Sequence, residues 1–191
     1  MLSRFRTVDL LYLAAFAALG LAIKPLVTPL VHIISAPLMI PGGSLAGGFY
    51  MMWLGMAVAV VRIPGAALLV GLVQAVVMLS GFFGSHGVAS VLSYGLPGLA
   101  VEIVARFFRR REGLLPQTLF CIAANLAGTV VVALLVMRLT TIPALIALSS
   151  AVLSGLIGGG LAHHLLLRLK SLHILGEPED GENPDETKEK T

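Results

Sequence analysis

Six long apolar stretches set the limits of what this chain can become: residues 8–23, 44–61, 66–83, 88–108, 114–137 and 142–169. A helix needs about 20 apolar residues to cross the hydrocarbon core of a bilayer. In lipid, every backbone polar group must find its partner within the protein, so runs of this kind fold as transmembrane helices. The expected fold class is therefore all-α, an integral membrane bundle of six transmembrane helices. Composition agrees: 57% of the 191 residues are hydrophobic and 12% are charged, about half the charge an ordinary soluble domain carries. Cys121 stands alone in an apolar stretch, which excludes an intrachain disulfide and a cysteine-clustered metal site.

The formal net charge of +3 is a sum of two opposed parts. Residues 1–175 hold 11 Lys/Arg against Asp9, Glu102 and Glu112, whereas residues 176–191 hold 2 lysines against 7 acids. The arginines sit at the ends of apolar runs, and no basic aromatic surface exists to read bases, so nucleic acid is not an expected partner. With the N-terminus inside, Arg4, Arg6, Arg62, Arg106, Arg109, Arg110, Arg111, Arg168 and Lys170 fall on the cytoplasmic side and only Lys24 and Arg138 on the other. That positive-inside bias predicts both termini in the cytoplasm. The first run has signal-peptide features, with Arg4 and Arg6 before an apolar stretch, but the downstream charge pattern works with it retained as a span.

The connections are uneven. Arg62-Ile63-Pro64-Gly65 reads as a tight cytoplasmic turn. Residues 24–43 contain Pro25, Pro29, Pro37 and Pro41 and the Gly42-Gly43 pair, and read as a long external first loop. Loops of that length in a compact bundle are usually functional, so it is expected to act as a lid, with His32 and Ser35 as its contact residues. A second external loop spans residues 81–87. The expected domains are a six-helix substrate-binding unit over 1–175 and a disordered acidic cytoplasmic tail over 176–191, too polar to fold alone.

Polar groups deep in spans are costly and usually meet a cavity or a partner. Gln74 and Asn125 lie near the middles of the third and fifth spans, where each suits either an interhelical hydrogen bond or a heterocyclic ligand. Trp53, Ser90, Tyr94, Thr129 and His86 complete the expected substrate-binding set, Trp53 and Tyr94 as stacking walls. Tyr50 also lies near the external end of its span, where an aromatic belt anchor is the ordinary reading. Glu102 is accounted for by a helical ion pair with Arg106, four residues on. His32 and His86 have no spacing that would make a metal site, and no metal or other cofactor is expected. The chain carries no phosphate-binding G-x-x-x-x-G-K-[ST] loop and no H-E-x-x-H, and no pair of acids within the membrane, so it is not expected to be an enzyme.

Ala14, Ala18 and Ala22 line one face of the first span at four-residue spacing, suited either to packing within the bundle or to docking another membrane subunit. Ala151, Gly155 and Gly159 form a similar stripe on the last span, best read as internal packing. With the first stripe, the six spans and the long external loop, the chain resembles the substrate-binding S component of an energy-coupling factor transporter. In that family an alanine stripe on the first helix contacts the coupling subunit. The segments 48–53, 62–68 and 95–102 are similar to the YkoE-like branch, associated with hydroxymethylpyrimidine or thiamine-related compounds. The resemblance implies a vitamin-capture subunit in a prokaryotic cell membrane, with a membrane coupling subunit and two ATPases as partners. A cationic thiazolium would want a carboxylate, and the outer half has none, so a neutral planar vitamin precursor is the expected cargo. The alternatives are a stand-alone secondary transporter or channel for a neutral solute, and a non-transporting scaffold.

Overall fold

The computed structural model describes residues 5–37, 39–80 and 89–172, and its described residues form helices joined by short connections, without a strand. In chain order they are α1 (Thr7–Ala22), α2 (Lys24–Ser35), α3 (Gly42–Val61), α4 (Ala66–Leu79), α5 (Ala89–Ala105), α6 (Leu114–Val131) and α7 (Thr141–Ser171). A single π-helical turn, Val132–Val136, extends α6. Four segments are long and apolar enough to span a membrane: Thr7–Ser35, Gly42–Val61, Leu114–Val136 and Thr141–Ser171. The helices α4 and α5 are apolar but shorter, at 14 and 17 residues. The bundle is thus an integral membrane fold with six crossing segments, the first being α1 and α2 together.

Here the sequence expectation needs correction. Residues 24–35 are not a loop but a helix that continues α1 through Ile23, itself in helical conformation. Pro25 stands in the first turn of α2, where its fixed φ suits a helix start, and marks the join with α1. Only Pro29 falls inside the helix. The connection to α3 is then short, with Met39 in the left-handed region at φ 53°.

α3 is the centre of the bundle and packs against all six other helices. Its sequence is rich in Gly and Ala, which lets neighbouring backbones come close where lipid offers no hydrophobic drive between helices. A Cβ on Gly48 would overlap the Ser154 carbonyl, and one on Gly158 would overlap the Gly48 backbone. The Gly48 N–H also donates to Ser154 Oγ at 2.9 Å. Gly155 and Gly159 press in the same way on the α6 backbone at Ile122 and Thr118, so the stripe on α7 serves internal packing. Leu54, Met56, Val58 and Phe120 are fully buried in the core around the inner half of α3.

One end of the bundle gathers the basic residues. Arg62 closes α3 in the left-handed region at φ 54°, and the turn through Gly65 (φ 97°) starts α4, as the sequence predicts. Glu112 pairs with both Arg62 and Lys170, tying the α3–α4 turn to the end of α7. His163 Nδ1 lies 2.8 Å from the Glu112 carbonyl oxygen on the same tie. Glu102 corrects a second expectation: its Oε1 accepts from the Ala67 N–H at 2.8 Å, while Arg106 is exposed. A buried carboxylate at the N-terminus of α4 satisfies an otherwise unpaired donor and meets the positive end of the helix dipole, which an exposed arginine on its own helix does not match.

Two outcomes follow from these contacts. Gly158→Ala should destabilise the protein by about 1–3 kcal/mol through overpacking, whereas Gly160→Ala, where a Cβ meets nothing within 4 Å, should stay within about 0.5 kcal/mol; melting midpoints in nanodiscs compare them. Partial burial pushes the Glu112 carboxyl up, but its hydrogen bonds and charge attraction with Lys170 and Arg62 outweigh this and hold it below its ordinary 4.5. Its folded-state value being lowered, the tie contributes fully above pH 4.5 and is lost as pH falls below it. Both bases are about half exposed, so Glu112→Gln should cost no more than about 1 kcal/mol and remove that acid-side loss from the melting profile.

Candidate functional site

A cavity of about 1030 Å³ lies at the end of the bundle away from the Arg62 and Arg106–Arg111 side, enclosed by α2, the α2–α3 connection, the start of α3, and parts of α5, α6 and the segment after it that flanks Arg138. That size lies at the upper end of small-molecule sites. Helical spacing explains its wall. Lys24, Thr28, His32 and Ser35 recur on one face of α2 and line the cavity, whereas Leu26, Leu30, Ile33 and Ile34 are exposed on the other. The supposed lid is therefore an amphipathic helix laid over the site.

Lys24 is the main departure from the sequence expectation, which puts it in the external loop. In the fold it sits between Gly20, which abuts Trp53, and Thr28, whose hydroxyl lies 3.3 Å from the Tyr50 hydroxyl. Residues 50–53 are about 12–16 Å down α3 from its start, near the middle of a hydrocarbon core of about 30 Å. The ammonium donates to the Tyr94 hydroxyl and lies 4.8 Å from the centroid of that ring. No described ion pair includes it.

Of the residues expected to bind substrate, Tyr94, Asn125 and Thr129 reach the cavity wall, together with His32 and Ser35. Asn125 is partly structural: its amide donates to the carbonyls of Ser44 at 3.2 Å and Ala151 at 2.9 Å. Its side chain fills the notch left by Gly47. The hydroxyls of Thr129 and Ser35 are buried without a hydrogen-bond partner among the described residues, and both residues face the cavity. Buried donors are normally satisfied, so these two are the groups a ligand would complete. Ser35 Oγ lies beside Gly42, at the unfilled first turn of α3.

Trp53 and Gln74 do not line the cavity. Trp53 stacks at a tilt on Phe16 of α1, with ring centroids 6.3 Å apart, and Gln74 Nε2 donates to the Ala17 carbonyl at 3.4 Å. Both press on Gly20, whose missing side chain makes room for them. Their faces are turned to α1, and a stacking wall at Trp53 is thereby removed from the site. Ser90 is buried, its hydroxyl unpartnered among the described residues, but it is not on the cavity wall. His86 lies outside the described residues. The sequence reading missed Lys24, Thr28 and Tyr50 as site residues; the recurrence of polar groups at 24, 28, 32 and 35 was the available signal.

Among the described residues no group of three or more His, Cys, Asp or Glu could hold a metal ion. The alanines of α1 are settled in position: Ala14, Ala18 and Ala22 are all exposed, so they do not pack within this bundle.

A family model described as "ABC-type cobalt transport system, permease component" matches residues 8–130, more than half of the chain. No curated protein and no solved structure matches.

The cavity amide and the Thr129 hydroxyl separate by experiment. Thr129→Val should leave stability of the ligand-free protein within about 0.5 kcal/mol, because it removes an unpaired group, whereas Asn125→Ala should cost about 1–3 kcal/mol by stranding two carbonyls. Thermal denaturation of the two variants reads the difference.

Proposed function

We propose, from the premise that the chain belongs to the family of ABC-type cobalt transport system permease components, that it is the substrate-capturing membrane subunit of an importer powered by separate ATPases. The observation that carries this reading is the cavity of about 1030 Å³ under α2, at the end opposite most of the basic residues. With the positive-inside bias, that end faces outward and both termini lie in the cytoplasm. The chain has no phosphate-binding loop of its own, so the energy comes from partner subunits.

The exposed stripe of Ala14, Ala18 and Ala22 supports docking of a membrane coupling subunit, in the manner of the energy-coupling factor S components. Small residues on an outward face allow close approach of a second backbone. The cargo is a small vitamin-like organic molecule. A divalent cobalt ion suits the cavity poorly, since its wall offers an ammonium and hydroxyls rather than a cluster of anionic or imidazole ligands. Thiamine, a cation, meets the same objection. Cavity contacts fall to Tyr94, Asn125, Thr129, His32 and Ser35, joined by Lys24, Thr28 and Tyr50.

The test uses the exposed stripe. Ala14→Leu with Ala18→Leu should leave the melting midpoint unchanged, since neither side chain is packed inside, yet reduce recovery of the ATPases and coupling subunit with the tagged chain by about tenfold or more. If the unaltered chain is extracted from its native membrane without any ATPase or coupling subunit, and liposomes containing it alone accumulate its cargo, it is a stand-alone transporter instead.

A further inference from the structure

An ammonium held near mid-bilayer is costly and is ordinarily paired with an acid. Here no acid among the described residues is within reach. Between Asp9 and Glu102 the sequence contains no Asp or Glu, and between Glu112 and Glu177 it again contains none. Glu102 and Glu112 are committed at the basic end, to the α4 N-terminus and to Arg62 and Lys170. Asp9 lies in the first turn of α1, about 22 Å from Lys24 along the helical path. Lys24 instead lines the cavity, and among the described residues its ammonium is held only by the hydroxyl and ring face of Tyr94.

We infer that the ligand itself is the counter-ion of Lys24: the cavity takes a small organic anion, a planar molecule bearing one carboxylate. This rests on the capture-subunit reading and replaces the neutral cargo expected from sequence, which counted Lys24 as lying outside the membrane. Three features beyond the charge fit. The buried hydroxyls of Ser35 and Thr129, unpartnered among the described residues, supply hydrogen bonds on the same cavity wall. The first turn of α3, Gly42-Gly43-Ser44, opens on the same space without a side-chain cap, which favours partial negative charge there. The ring of Tyr94 presents an aromatic face beside the charge. One ammonium on the wall matches one negative charge, so a monocarboxylate is the simplest match.

The test uses a pair of probes alike in shape and different in charge, nicotinate and nicotinamide, with thiamine as the cationic third. Binding to the purified full-length protein in nanodiscs is measured by equilibrium dialysis. Nicotinate should bind at least about tenfold more tightly than nicotinamide or thiamine, the advantage should vanish in Lys24→Gln, and Lys24→Arg should keep part of it. Nicotinamide or thiamine binding as well as nicotinate, or nicotinate binding unchanged in Lys24→Gln, overturns the inference, as does failure of all three to bind. The comparison in the unaltered protein decides the matter even if Lys24→Gln does not fold. Loss of the charge preference with ATPase recovery intact would sink the anion reading alone, whereas a preserved preference without ATPase recovery would sink the importer reading alone.

Discussion

The close approach of α3 to its neighbours is the constraint on which the rest of this fold rests. A helix surrounded by six others in a membrane gains nothing from hiding apolar side chains from lipid, so it must be held by backbone proximity and by directed hydrogen bonds. Gly48 meets Ser154 and Gly158 of α7, and Gly55 abuts Gln117 of α6. Gln117 in turn donates to the Gly55 carbonyl at 3.1 Å. Those contacts bring α6 and α7 against α3 across its middle, from Gly48 to Gly55.

The cavity follows from what happens at the other side. The α1–α2 helix runs along α3, tight at Gly20, where Trp53 and Gln74 fill the seam, and then meets it through polar groups from Lys24 onward. A tightly packed inner half and a hollow outer half thus arise along one helix pair. The change coincides with a shift in the residues of the first span, from small and apolar in α1 to Lys24, Thr28, His32 and Ser35 on the inner face of α2. The alanines of α1 are exposed on the outer surface, beside the helix that closes the cavity.

The six crossing segments, the Arg62-Ile63-Pro64-Gly65 turn and the packing stripe on α7 were legible in the sequence, because each depends on local composition or spacing. The helix α2 was obscured by its prolines. Pro25 suits a helix start, and only Pro29 falls inside α2; the polar period of four along 24–35 was the stronger evidence. The depths of Trp53 and Gln74 were readable, but the direction of a side chain around its helix is set by which neighbour leaves a gap, and Gly20 left it on the side of α1. Glu102 illustrates the same limit. Its helical spacing to Arg106 was correct, yet the unpaired N–H of Ala67 on another helix was the better partner.

The proposed cavity opens outward and is held at positive potential by an intramembrane lysine. Its most direct test is the labelling rate of Thr129→Cys, in a Cys121→Ala background, by membrane-impermeant methanethiosulfonates added outside intact cells. The cysteine should react from outside, and the anionic reagent should be favoured over the cationic one relative to their rates with a free thiol, with that preference lost when Lys24 is changed to Gln. No reaction from outside, or a preference for the cationic reagent, would contradict it.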